Sequence, residues 1–101
     1  MKASVFVVAL IPLVSAWSLE LKTTDKRTVN THGTSDSGCK NLSFSPVLNV
    51  NHAKFSPKTD WHTDPGTFEL YANKNCDKLS YRNDGGSYSM TARKIRSYKV
   101  Y

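Results

Sequence analysis

The chain has 101 residues, of which 39% are hydrophobic, and its 14 Lys and Arg against 8 Asp and Glu give a formal net charge of +6. This length suits one small domain with a marginal core, and no apolar run reaches membrane length, so we predict no transmembrane segment. The excess of positive charge favours anionic partners such as membrane surfaces, cell-wall polymers or nucleic acid. A solvated basic edge that prevents strand aggregation is the alternative interpretation.

Residues 1–16 have the pattern of a secretory signal peptide. Lys2 precedes an apolar run over Val5–Val14, which is about ten residues long and typical of the hydrophobic region of such a signal. Val14 and Ala16 fit the two positions that signal peptidase reads, so cleavage is expected after Ala16. We therefore expect a secreted, extracellular protein whose single domain is formed by residues 17–101.

The two cysteines, Cys39 and Cys76, are expected to form a disulfide, because secreted proteins mature in an oxidising compartment. A small domain gains much from such a link, and closing this loop contributes about 4 kcal/mol to stability. Two free thiols or a shared metal ion are the alternatives, although no further metal ligands stand at a suitable spacing. We predict neither a metal site nor a cofactor.

The first half of the chain contains three predicted strands. Ser18–Lys22 and Val47–Phe55 alternate apolar with polar residues, whereas Arg27–Thr31 is rich in β-branched residues. Thr34–Gly38 has the composition of a loop. These segments indicate β-structure with short polar connections.

Two signals in this half indicate covalent processing. Lys26 and Arg27 form a dibasic pair of the kind that proprotein convertases cleave, and cleavage there leaves a form that begins at Thr28. Asn41 begins the sequon Asn-Leu-Ser, so we predict it as an N-glycosylation site if its side chain is exposed.

A long polar loop is predicted over residues 56–66. It carries Trp61 and His62 between Pro57 and Pro65. An exposed Trp on a loop is suited to contact a partner or a glycan, whereas a Trp folded back would cover the core. We predict Trp61 and His62 as binding residues.

The second half is predicted to hold about four short strands with tight turns. Phe68–Tyr71 and Leu79–Arg82 are followed by a strong turn signal at Asn83–Gly86, and Lys94–Val100 closes the chain as a further strand. A helical turn within Ser87–Arg93 is the only helix candidate, because no window shows a 3.6-residue apolar period. We therefore predict an all-β fold, a small two-sheet Greek-key β-sandwich.

The two halves resemble one another. Ser18–Lys22 and Thr67–Tyr71 open them with similar alternation, and Asn51–Phe55 and Ile95–Val100 close them. Two such units of about 40 residues would each bury one face by packing on the other. The disulfide would then join the first unit to the second.

Over Thr67–Tyr101 the sequence resembles the βγ-crystallin superfamily, especially its small secreted microbial members, the killer toxin-like proteins and their fungal relatives. The resemblance is carried by Phe68–Tyr71, Asn75–Cys76, Gly86–Tyr88 and the closing strand Ile95–Val100. It implies a crystallin-like Greek-key sandwich and a secreted protein that acts on another organism.

The sequence departs from this family at two places. Lys78 stands where the hairpin glycine belongs, and Lys does not readily accept a positive φ, so a differently built hairpin is expected, with the disulfide at Cys76 as a substitute. Ala92, Arg93 and Arg96 stand where the family's calcium ligands belong, and cationic side chains repel a hard cation, so no calcium site is expected in the second half of the chain.

A second family competes for the same features. Fungal effectors of the MAX type are also small, two-cysteine β-sandwiches, and Asn73–Cys76 is similar to the setting of their second cysteine. Either resemblance implies a two-sheet β-sandwich.

Catalytic patterns are weak in this sequence. His32, His52 and His62 stand 20 and 10 residues apart, which is not a zinc-binding spacing. A ribonuclease would pair one of them with Glu69 as acid and base, but Glu69 lies in a plain alternating strand, where an exposed structural Glu is expected. We predict no enzymatic activity, with a secreted ribonuclease-like protein as an alternative.

A basic stretch near the C-terminus is the second predicted binding surface. Its cations alternate with Tyr98 and Tyr101, a mixture that suits anionic polymers. The predicted binding residues are Arg93, Lys94, Arg96 and Lys99.

These features predict a monomeric, secreted, non-enzymatic binding protein. A fungal-type virulence effector that binds a host protein or glycan is the main hypothesis. A cationic antimicrobial or killer toxin-like protein that binds an anionic microbial envelope is the alternative. Nucleic acid is a further partner class that the charge admits.

Overall fold

The structure is a computed structural model and describes residues 16–58 and 66–101. The predictions made for residues 1–15, Trp61 and His62 therefore lie outside the described residues.

Both described ranges consist of β-strands and connecting turns, which confirms the all-β prediction. The strands are β1 (Ala16–Thr23), β2 (Thr28–Gly33), β3 (Gly38–Asn41), β4 (Leu48–Lys58), β5 (Thr67–Asn73), β6 (Asp77–Asp84), β7 (Gly86–Ile95) and β8 (Ser97–Val100). The predicted disulfide is also confirmed, and it joins Cys39 to Cys76 with their Cα atoms 5.9 Å apart.

The strands form two antiparallel four-stranded sheets. The first sheet has the order β2-β1-β4-β7, and the second has the order β3-β8-β5-β6. The first sheet therefore combines β1, β2 and β4 of the first half with β7 of the second half. The second sheet combines β5, β6 and β8 of the second half with β3 of the first half. The two halves do not simply pack on each other as predicted, because β3 and β7 are exchanged between them.

The core lies between the two sheets, where the alternating apolar residues face inward. Phe55 of β4 connects the layers, with its ring centroid 6.4 Å from that of Trp17 and 5.4 Å from that of Phe68. Phe68 is fully buried, and replacing such a residue by Ala usually costs about 3–5 kcal/mol. The other buried apolar residues are Leu19, Leu21, Leu42, Leu48, Val50, Ala53, Leu70, Ile95, Tyr98 and Val100.

Two sequence predictions about the end of the chain are wrong. The helical turn within Ser87–Arg93 is part of the ten-residue strand β7. The predicted strand Lys94–Val100 is interrupted at Arg96, where the chain passes from the first sheet to the second. Both errors have one cause, because pairing with β4 in the other sheet is a tertiary contact that local alternation does not report.

The predicted turn at Asn83–Gly86 is present, but it does not form a hairpin. It links β6 at the edge of the second sheet to β7 at the edge of the first. Gly86 has φ +140°, which only glycine adopts easily, and the Tyr88 hydroxyl donates to the Gly85 carbonyl at 2.7 Å. The turn thus forms a corner between the two layers.

Candidate functional site

A groove on the outer face of the first sheet gathers basic side chains from two strands and a turn. A β-bulge in β4 between Val50 and His52 shapes it. Strict alternation would place His52 on the same side as Val50, in the core. Because of the bulge, Ala53 is buried instead and His52 faces the groove. The groove has a volume of about 540 Å³ and is lined by Lys22, Thr23, Lys26, Arg27, Thr28, Asn51, His52 and Ser89.

The β1–β2 turn, residues 24–27, holds the basic side chains at the end of this groove. The Arg27 amide donates to the Thr23 hydroxyl at 2.9 Å, and the Thr23 amide donates to the Arg27 carbonyl at 3.0 Å. Lys26 has φ +67°, a left-handed conformation that the tight turn imposes. These short-range bonds fix where Lys26 and Arg27 project.

The electrostatics of the groove are positive. Asp25 forms an ion pair with Arg27 at 2.9 Å, and hydrogen bonds from Arg27 and Thr23 hold the pKa of the Asp25 carboxyl below its usual value. Lys22 and Lys26 have no ion pair with another described residue, and none of the groove's lining residues is acidic. Anions would therefore be attracted to these two lysines.

The basic residues predicted near the C-terminus are distributed over both sheets. Arg93 is committed to the fold, because its guanidinium lies 5.5 Å from the Tyr81 ring centroid and donates to the Ser80 carbonyl at 2.7 Å. Lys94 is exposed at the end of β7, whereas Lys99 lies in β8 with its ammonium 5.4 Å from the Tyr101 ring centroid. Lys94 and Lys99 lie in different sheets, because the chain passes from the first sheet to the second at Arg96.

Arg96 lines a second, smaller groove, together with residues of the β3–β4 connection and Lys74. Its floor is apolar, and Phe44 there is 43% exposed. Lys74 stands at the rim and donates to the Ser43 hydroxyl at 3.2 Å. Nothing in the described residues shows what would cover Phe44.

Glu69 is not the exposed structural carboxylate that its strand pattern predicts. Its side chain is 12% exposed and accepts hydrogen bonds from the hydroxyls of Tyr71 and Tyr101, the latter at 2.6 Å. Burial raises the pKa of Glu69, but these two hydrogen bonds and the charges of Arg82 and Lys99 outweigh it and hold the pKa below its usual range. Burial and the bond to Glu69 raise the pKa of Tyr71 to about 12.

The ribonuclease arrangement is not formed by the described residues. Glu69 lies in the second sheet, whereas His32 and His52 lie in β2 and β4 of the first sheet. Within residues 16–58 and 66–101, no three His, Cys, Asp or Glu side chains come together to hold a metal ion.

The sequon residue Asn41 is exposed, as glycosylation requires, but its amide is engaged. The Asn75 backbone amide donates to Asn41 Oδ1 at 2.7 Å, and Asn41 Nδ2 donates to Asn75 Oδ1 at 3.2 Å. Asn41 therefore ties β3 to the β5–β6 turn beside the disulfide.

The groove on the first sheet was missed by sequence reasoning. Its cations are spread over β1 and the following turn, and His52 is presented by a bulge that breaks the alternation. The one local signal was the pair Lys26 and Arg27, which was interpreted as a cleavage site.

No protein-family model, curated protein or solved structure matches this chain. In the described part of the chain, no helix has the length and apolar character needed to cross a bilayer.

Proposed function

We propose that this chain is a secreted, non-enzymatic binding protein that recognises an anionic partner through the groove on the first sheet. The observation that carries this proposal is the convergence of Lys22, Lys26, Arg27 and His52 on one groove without an acidic lining residue. The net charge of +6 acts in the same direction at longer range.

The absence of enzymatic activity is part of this proposal and is supported by the state of Glu69. A general base is most effective when its pKa lies near the working pH, whereas the pKa of Glu69 is held below its usual range by its hydroxyl partners. The Glu69 carboxylate already accepts from Tyr71 and Tyr101 and lies 3.6 Å from the Arg82 guanidinium. Its role is therefore to attach the C-terminal residue to β5.

A charge-reversal experiment tests the groove. We expect Lys22→Glu with Lys26→Glu to weaken binding to polyphosphate more than tenfold, since two phosphate contacts are lost. The matched control is Lys54→Glu with Lys94→Glu, which makes the same change in net charge at exposed positions outside the groove. Equal losses in both variants would show that only the overall charge matters, and the groove would then have no role.

The biological context of the proposal is a virulence effector that binds a host component, with an antimicrobial protein as the alternative. An antimicrobial protein inhibits microbial growth at low ionic strength and loses potency when salt screens its charge. An effector does neither, and its transcript rises during colonisation of the host. A growth assay at two salt concentrations separates the two contexts.

We also propose that the chain is a distant, crystallin-like protein. Two features support this. Lys78, which stands at the position of the family's hairpin glycine, has φ +68°, the conformation that glycine would provide there. The expectation that Lys78 would not adopt a positive φ is therefore wrong. In addition, the spatial order β8-β5-β6 follows a Greek key whose third strand, β7, has moved to the other sheet.

A further inference from the structure

The strand β2 forms one edge of the first sheet and lacks the features that normally protect a sheet edge. Its six residues, Thr28–Gly33, include no Lys, Arg, Asp, Glu or Pro. It pairs with β1 through six consecutive residue pairs without a register shift. Edge strands of this kind are templates for another strand, because their outward amides and carbonyls are unpaired.

The other three edges among the described strands are protected. β3 has only four residues, carries the disulfide, and places Lys40 opposite the buried Tyr98. β6 carries charges at both ends. In β7, the three residues between Ser89 and Arg93 have no pairing partner on β4, so the strand is irregular there. Short strands, charged side chains and bulges are usual protective devices, so β2 is the exception among the described edges.

The hydrogen bonds of the β1–β2 turn identify which groups of β2 point outward. The Thr23 amide donates to the Arg27 carbonyl, so every second residue after Arg27 directs its backbone amide and carbonyl toward β1. The backbone groups of Val29, Thr31 and Gly33 therefore form hydrogen bonds with β1. The backbone groups of Thr28, Asn30 and His32 point away from the sheet.

The charges beside β2 select the chemistry of an added strand. Thr28 at the start of β2 lines the basic groove and is paired with Lys22 of β1. At the middle of the strand the neighbouring charge on β1 is negative instead of positive, because Asn30 is paired with Glu20. Glu20 is in turn opposite Lys54 on β4. An added strand is therefore favoured when its acidic residues lie beside the turn.

We propose that β2 accepts an extended acidic peptide segment of a partner protein as a fifth strand of the first sheet, with its carboxylates directed at Lys22 and Lys26. Backbone hydrogen bonds to the outward groups of β2 provide the affinity, and the two lysines select the acidic residues. This inference rests on the proposed function, because it names the partner class for the same basic groove.

The probe is an acetylated, amidated peptide of about six residues that alternates Glu with Thr. Two further peptides carry N-methyl groups, one on every Glu nitrogen and the other on every Thr nitrogen. Only one edge of an added strand faces β2, so we expect one methylated peptide to bind at least about tenfold more weakly and the other to bind normally. Equal binding of all three peptides to the unmodified protein would overturn the inference.

Variants of β2 provide the complementary measurement. Asn30→Pro removes an outward amide and leaves the pairing with β1, and Asn30→Ala is the matched control. We expect the proline variant to lose peptide binding about tenfold and to keep polyphosphate binding, while the alanine variant keeps both. Retained peptide binding in a folded Asn30→Pro variant would overturn the inference but leave the groove intact. If polyphosphate fails to bind the unmodified protein, the proposed function itself is wrong.

A second copy of the chain is the competing occupant of this edge. Sedimentation of the unmodified protein over a range of concentrations distinguishes it from a peptide. We expect a monomer at every concentration. A dimer that Asn30→Pro abolishes would assign the edge to self-association and overturn the peptide proposal.

Discussion

The β1–β2 turn and the β5–β6 turn occupy corresponding places in the two halves, yet different interactions hold them. The first turn is held mainly by its own residues, through bonds among Thr23, Asp25 and Arg27. One further backbone bond joins it to β4, where the Asn49 carbonyl accepts from the Thr24 amide at 3.0 Å. The second turn is held from outside, by the disulfide to Cys39 and by the buried Ser97. A turn held by local contacts is free to present side chains, whereas the second turn is part of the scaffold.

The largest expected loss of stability comes from removing the disulfide that holds the second turn. Replacing both Cys39 and Cys76 by Ser frees a chain loop of 37 residues and should lower the free energy of unfolding by about 4 kcal/mol. Urea unfolding of the variant and the parent protein measures this. A loss below about 1 kcal/mol would show that the remaining contacts suffice to hold the second turn.

Ser97 is the second support of the β5–β6 turn. Its hydroxyl accepts from the Cys76 amide at 3.0 Å and donates to the Asn73 carbonyl, and the residue is fully buried. Ser97→Ala leaves both groups without a partner, so we expect a loss of about 2 kcal/mol in urea unfolding. Ser89→Ala, at an exposed position in β7, is the control and should change stability little.

Thr23 has the corresponding role in the first turn. Its hydroxyl accepts from the Arg27 amide, and Val has nearly the same shape without this oxygen. We expect Thr23→Val to cost about 1 kcal/mol in urea unfolding, less than Ser97→Ala, because the Arg27 amide that loses its partner lies in a residue that is only half-buried, whereas Ser97 is fully buried. It should also weaken anion binding by the groove, which Ser97→Ala should leave unchanged. The reverse order of the two losses would contradict the comparison.

One lysine with a positive φ lies in the first turn, and another lies just after the second turn, at the start of β6. Replacing either lysine by Gly removes that strain. Lys26 has φ +67° and Lys78 has φ +68°. The left-handed conformation costs roughly 1–2 kcal/mol for a residue with a Cβ, partly offset by the greater freedom of Gly in the unfolded chain. We expect Lys78→Gly to stabilise the protein by about 0.5 kcal/mol. Lys26→Gly should do the same but weaken polyphosphate binding, and a loss of stability in both variants would show that the lysines are not strained.

Acid should weaken the first turn, and this is the smallest effect. The pKa of Asp25 is held below its usual value by Arg27 and Thr23, so its contribution is present above the unfolded pKa of about 4 and is lost as the pH falls through the folded value. Comparing the parent protein with Asp25→Asn measures this, since the variant should lack that part of the pH dependence. Identical acid profiles would contradict it.

The sequence predicts the architecture well because its main signals are local. Alternation in β1, β4 and β5 indicates strands, and in a secreted protein two cysteines allow only one disulfide. β3 was missed because its residues are all exposed and no alternation marks it. The exchange of β3 and β7 between the halves is a long-range property that no local pattern carries.

The candidate site was less predictable than the fold. The basic stretch around Arg96 is continuous in sequence but is divided between two sheets in space. The groove shows the opposite relation, since Lys22, Lys26 and His52 are separated in sequence and come together through strand pairing. The environment of Glu69 also depends on Tyr101, which lies 32 residues away.

The exchange of third strands also sets the order of events during synthesis. Among the described strands β3 pairs only with β8, which is translated last, and Asn41 meets Asn75 only when the second half has folded. If the chain is secreted, as proposed, Asn41 would reach the glycosylation machinery in a segment that has not yet folded. The same amide becomes engaged once β3 pairs with β8 and Asn41 meets Asn75, so folding of these strands limits the time available for modification.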